Sequence, residues 1–253
     1  MTRSFCKKLH NGCFMYVDPS EHIQQSIFWY GYYEKEAVLT WETLAGSEST
    51  VVDIGANTGY YSIIAAPRAR HVYAFEPSAH SLESLRKNIL LNQFSNVFIH
   101  SYAVSDETSK ATLYLSDKNN TGMSGLTIPE NFSGVTEIIQ TIRLDDWAIS
   151  NSIPRIDLIK IDVEGAEMKV LSGMKELIEK YHPAVFIEVM NDLLMKFGAG
   201  AGDVYQYFSG FNYTGYEIIQ TNQLKPVTSM AKQAYTILFL HRDFIIPAPI
   251  RVV

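Results

Sequence analysis

Cysteine is scarce in this chain: Cys6 and Cys13 are the only two in 253 residues. A pair alone supplies neither a disulfide framework nor the four ligands of a structural zinc site, so both are expected to be free thiols. Basic runs are lacking as well. Lys and Arg number 21 against 27 Asp and Glu, a formal charge of −6. A mildly acidic chain without a basic stripe has no footprint for nucleic acid or an anionic membrane. No apolar run reaches the roughly 18 residues of a membrane helix, and the first residues lack the apolar stretch of a signal peptide. A cytoplasmic, soluble protein is therefore expected. Internal repeats are absent, and no linker is long enough to split the chain. Apolar residues are present at 47%, enough for a sizeable core.

The chain is organised around Thr50-Val51-Val52-Asp53-Ile54-Gly55-Ala56-Asn57-Thr58-Gly59-Tyr60-Tyr61. Val51, Val52 and Ile54 form the β-branched run of a parallel strand buried on both faces. Gly55 and Gly59 permit a tight turn and a close approach of backbone to a ligand, and a helix starting at Tyr60 would aim its free N–H groups there.

Around this stretch the pattern alternates strand and helix. His71–Pro77 reads as a second strand ending in an acid, Ser78 as the cap of a helix with Leu82, Leu85 and Ile89 on one face, and Val97–Ser105 as a third strand. Short links between them predict a parallel sheet with right-handed crossovers. Over 107–142 the rhythm breaks. Ala111–Leu115 and Thr136–Ile142 read as antiparallel strands around a polar loop from Ser116 to Gly134. Its Gly122-Met123-Ser124-Gly125 stretch is either a lid or a surface hairpin. Ile156–Ile161 and Ala184–Val189 are the fourth and fifth strands. Val170, Leu171, Met174, Leu177 and Ile178 share a stripe of the helix between them. Tyr213–Ile219 and Tyr235–His241 read as a closing hairpin. Near the start, Phe14–Val17 reads as a strand and Lys35–Leu44 as a helix, which either caps the pocket or packs on the sheet. Tyr30, Tyr32, Tyr33, Tyr60 and Tyr61 are either core or acceptor-shaping aromatics, and His182 before Pro183 reads as structural.

A dinucleotide site needs Gly-x-Gly-x-x-Gly; here the spacing is Gly55-x-x-x-Gly59 behind Asp53. A carboxylate there repels a pyrophosphate and suits a positively charged ligand. Glu76, closing the adjacent strand, lies where a ribose diol would. Both acids fit S-adenosylmethionine as the cofactor. The expected organisation is then a single domain over 1–253, with a cap segment over 1–48, a cofactor-binding core over 49–190, and a C-terminal hairpin and tail over 191–253.

Val52–Gly59, Phe75-Glu76-Pro77, Ala103-Val104-Ser105-Asp106, Leu144-Asp145-Asp146, Phe186-Ile187-Glu188 and, most distinctively, Ile159-Lys160-Ile161-Asp162-Val163-Glu164-Gly165-Ala166-Glu167 resemble the FkbM-type methyltransferases. The resemblance implies an α/β, Rossmann-like class I methyltransferase fold. Its sheet is mostly parallel and seven-stranded, with helices on both faces and a final antiparallel strand. It also implies methyl transfer to a hydroxyl of a sugar or secondary metabolite. Asp53, Gly55, Asn57 and Gly59 would then bind the donor's amino-acid end, and Glu76 and Pro77 its ribose. Ala103, Val104, Ser105 and Asp106 would lie at the adenine unless they only close strand three, and Glu34 would reach in from the cap. A hydroxyl acceptor loses a proton, so Asp162, Glu164 and Glu188 are the catalytic candidates, with Asp162 also bordering the cofactor and Glu164 alternatively capping a helix. The transfer is expected across the crevice from the glycine turn. No metal is expected, although a divalent cation on Asp162 and Glu188 is the alternative to a base. The expected partner is a small-molecule or glycan acceptor, with a homodimer left open. N-methylation, a non-catalytic S-adenosylmethionine-binding regulatory or scaffold protein, and an NAD-dependent oxidoreductase are the competing readings.

Overall fold

A computed structural model describes residues 4–117, 120–130, 132–227 and 234–253. Its main sheet is built on β1 (Thr50–Ile54), β2 (His71–Phe75), β3 (Val97–His100), β4 (Leu158–Ile161), β5 (Ala184–Met190), β6 (Tyr213–Gln220) and β7 (Ala234–His241), in the spatial order β3-β2-β1-β4-β5-β7-β6. β1 to β5 run parallel, and β7 is antiparallel to both of its neighbours. Two short strands beyond β6, Gln223–Pro226 and Arg251–Val252, bring the sheet to nine strands among the described residues, where seven were expected.

Each central strand is apolar on both sides because helices cover both sides. Val51 faces a core shared with Trp41, Ile63 and Leu85, whereas Val52 faces one shared with Trp147, Leu171 and Phe239. The first layer holds α1 (His22–Tyr30), α2 (Lys35–Leu44), α3 (Tyr60–Ala65) and α4 (Ala79–Leu91); the second includes α5 (Leu144–Ser150), α6 (Glu167–Ser172) and α7 (Lys175–Tyr181). α8 (Asn191–Lys196) and α9 (Ala201–Gly210) follow β5. Strand Phe14–Val17 pairs with Phe5–Lys8 and docks on α4, where Asn88 and Asn92 accept from the Tyr16 and Phe14 amides at 2.8 and 2.7 Å.

Two elements differ from expectation. The run Val97–Ser105 is not one strand: Ala103–Val104 leaves the main sheet and pairs with Phe132–Ile142, which in turn pairs antiparallel with Lys110–Ser116. The apolar stripe after β4 is carried by two helices, α6 and α7, broken at Gly173. A Cβ on Gly173 would stand 1.9 Å from the Ser105 carbonyl oxygen, so the chain bends where another segment presses on it. The order of strands reverses between β1 and β4, and a crevice opens at the carboxyl ends there.

Candidate active site

The crevice encloses about 310 Å³ at the carboxyl ends of β1, β2, β4 and β5. His22, Ile23 and Tyr33 of the N-terminal segment line one side, and residues 120–126 of the hairpin loop line another. The helix Lys35–Leu44 lines none of it and packs on the sheet through Val38 and Trp41, so the ambiguous hairpin loop and the stretch over 22–33 are the two segments on the wall. They also meet, since the Ile23 Cδ1 would lie 3.0 Å from a Cβ on Gly122.

Asp53 ends up buried at the tip of β1, accepting a hydrogen bond from the Ser62 hydroxyl at 2.6 Å. Burial pushes its carboxyl up to about 6, against the pull of Ser62 and Lys160. Glu76 accepts from the Asn57 and Ser78 amides, one on each oxygen, both at 2.8 Å. Burial raises it to about 7 in spite of those two bonds. Gly55 and Gly59 have φ of +79° and +92°, the left-handed region that glycine tolerates. Their missing side chains make room for the protein rather than for a ligand. A Cβ on Gly55 would stand 1.8 Å from the Asp162 carbonyl oxygen, and one on Gly59 2.5 Å from Leu85 Cδ1.

That contact corrects one expectation. Asp162 is not across the crevice from the glycine turn but beside it: its amide donates to Ile54 O at 3.0 Å, and Ile161 pairs with Ile54. Next to Asp162 stands Lys160, 1% exposed, with Nζ 3.1 Å from Asp162 Oδ2 and 5.0 Å from the Tyr61 ring centre. Burial works against the ammonium, but Asp162, Glu34 and Glu188 outweigh it and hold its proton more tightly than usual. Glu188 is hydrogen-bonded to Asp162; that carboxylate and burial push it up to about 10. Glu164, at φ +54°, is pushed up to about 9 by burial and then by Asp162, and its Oε2 is inaccessible and unpartnered. Tyr33, on the wall, is raised by burial and by the same acids.

The cavity thus gathers Asp53, Gly55, Asn57, Glu76, Pro77, Ala103, Val104, Asp162, Glu164 and Glu188. Gly59 supports the turn from behind. Glu34 is not on the wall; its two oxygens accept from the Tyr61 and Thr236 hydroxyls, each at 2.7 Å. Ser105 and Asp106 also lie off it, in a turn where Ser105 donates to Asp106 and Asp106 pairs with Lys169 at 3.2 Å. Asp145 accepts from the Glu176 and Leu177 amides and caps α7. His182 stacks on His241 at 3.7 Å, at the opposite end of the sheet. Lys160 is the residue that sequence reasoning passed over. Its signal was a lysine inside an otherwise apolar buried strand, a position that demands a partner. Among the described residues, no three His, Cys, Asp or Glu side chains are placed to hold a metal ion, and no helix is long and apolar enough to cross a membrane.

The chain is 29% identical over 150 residues to the 2-O-methyltransferase NoeI of Sinorhizobium fredii, covering 53% of this chain and 60% of that protein. It is 26% identical over 145 residues to the hexuronic acid methyltransferase AglP of Haloferax volcanii, covering 57% of each. The matched part is therefore under two thirds of the length of either relative. Among solved structures, M. jannaschii TYW2 in complex with AdoMet superimposes with a TM-score of 0.50 at 14% identity, covering 95% of this chain and 88% of that one, a likeness of fold. The Methyltransferase FkbM domain model matches residues 53–218, and the chain belongs to that family of methyltransferases.

Proposed function

We propose that this chain transfers a methyl group from S-adenosylmethionine to a hydroxyl of a small molecule or glycan. The observation that carries the reading is one cavity in which two buried acids, Asp53 and Glu76, adjoin a third, Asp162, that has a buried ammonium as counter-ion. S-adenosylmethionine presents an ammonium, a sulfonium and a ribose diol, and the acids here suit all three; a pyrophosphate would face Asp53, Glu76 and Asp162 with the Lys160 ammonium already paired. The buried Asn57 Oδ1, without a partner at the same wall, fits a ligand rich in hydrogen-bond donors.

When bound, the cofactor supplies the activated methyl group. The rest is positioning and proton handling by this chain. Glu76 keeps a lone pair on each oxygen for hydroxyl donors. Asp162 takes the acceptor's proton while Lys160 offsets the charge beside it. Glu164 and Glu188, raised to about 9 and 10 by burial and Asp162, carry protons at neutral pH; Glu188 gives its proton to Asp162 and keeps an oxygen to accept from the acceptor, while Glu164 is the donor toward it. The 120–126 loop and Ile23 limit water at the reacting atoms. Oxygen as the acceptor atom is supported by the 2-O-methyltransferase relative. A cytoplasmic location fits the free thiols Cys6 and Cys13.

Calorimetry tests the cofactor assignment. S-adenosylhomocysteine is expected to bind and NAD to give no heat; binding of NAD alone would overturn the reading.

A further inference from the structure

The wall beside Asp162 has an unusual balance of charge. Apart from His22, its basic lining group among the described residues is Lys160. That ammonium is already committed. It lies 3.1 Å from Asp162 and over the Tyr61 ring, is 1% exposed, and is flanked by Glu34 and Glu188. Among the described residues, no unpaired cation on that side remains to meet an incoming anion. The groups left for a ligand are the Glu164 and Glu188 carboxyls and the Tyr33 hydroxyl, with the uncharged loop residues Asn120, Thr121 and Ser124 opposite. Glu164 Oε2 is buried without a partner, and a polar atom in that state costs stability until a ligand bonds to it.

We propose that the acceptor taken here is an uncharged, hydroxyl-rich molecule, a neutral sugar or polyol, and that carboxylated and phosphorylated acceptors are turned away. The inference rests on the methyltransferase reading above and deepens it. An anion placed against Asp162 would give up its hydration in a low-dielectric pocket whose ammonium is already paired, with no charge partner there to compensate the loss. Ammonium-bearing acceptors gain nothing in return. Asp162 and Lys160 cancel one another, and with Glu164 and Glu188 protonated the cluster adds little net negative charge. Adjacent hydroxyls, which both donate and accept, match carboxyl groups that do the same.

A charge-matched series tests this: a methyl hexoside, the uronide and the 6-phosphate with the same remaining hydroxyls, and the corresponding amino sugar. Each is titrated calorimetrically into protein saturated with S-adenosylhomocysteine, and turnover with the methyl donor is measured in parallel. The neutral hexoside is expected to bind at least ~10-fold more tightly than the uronide or phosphate, and no more weakly than the amino sugar. Equal or tighter binding of the uronide or phosphate overturns the exclusion of anions. Preference for the amino sugar overturns the uncharged assignment, and binding of no member overturns the sugar class. Failure of S-adenosylhomocysteine itself to bind would instead sink the underlying reading, so the two failures are told apart in the first titration.

Discussion

The two ends of the crevice use the same residue type in opposite ways. At the Asp53–Glu76 end, each acid is held by donors a short way along the chain: the Ser62 hydroxyl, and the Asn57 and Ser78 amides. At the Asp162 end, acids from β5, from the loop after β4 and from the N-terminal segment crowd around one lysine. An acid held by amides has a defined partner and a defined shape to offer a ligand. Crowded acids instead settle their charge collectively, and Glu164 and Glu188 keep a proton. The first arrangement suits recognition of a fixed cofactor, the second the transfer of a proton.

Replacing Asp162 probes that contrast most severely. Asp162→Asn is expected to lower turnover by roughly 10²–10⁴, the usual worth of a positioned base, while S-adenosylhomocysteine affinity changes far less. A variant with full turnover would end the proton-acceptor role. At the other end, Glu76→Ala is expected to show the reverse split, a roughly 100-fold or larger loss of S-adenosylhomocysteine affinity from removing charged hydrogen-bond acceptors. Unchanged affinity by calorimetry would remove Glu76 from the cofactor site.

The smallest effect is on stability. Glu188 stands at about 10 in the folded chain against an ordinary value of 4.5, so the folded state binds its proton more tightly than the unfolded one. Its contribution is complete below about pH 4.5 and is lost as pH rises toward about 10. Glu188→Gln, which never ionises, is expected to flatten the fall of the thermal midpoint over this window by a few degrees, ~2–4 °C per kcal/mol for a chain of this size. Identical pH slopes for the two proteins would show that the crowded end does not hold its protons as described.

How much was legible follows from the same contrast. Asp53, Gly55 and Glu76 could be placed together at the crevice because strand, acid and turn are contiguous, and each acid falls at a strand end by periodicity alone. Glu34, Ser105 and Asp106 carried the same kind of signal, yet they lie off the cavity wall. Glu34 is turned onto Tyr61 and Thr236, the latter 202 positions away, and no local pattern foretells such a partner. The stripe from Val170 to Ile178 has one period, but whether it forms one helix or two depended on the Ser105 carbonyl against Gly173.

The sequence by itself determined the alternation of strand and helix, the glycine turn and the acids at the strand ends, because each is set by side-chain shape and backbone freedom within about ten residues. Only the tertiary structure decided that Gly55 makes room for the Asp162 backbone, that Lys160 is the cation beside Asp162, and that Glu164 and Glu188 keep their protons. Those outcomes depend on burial and on charges brought together from distant segments, which is the long-range part of electrostatics that no local stretch contains.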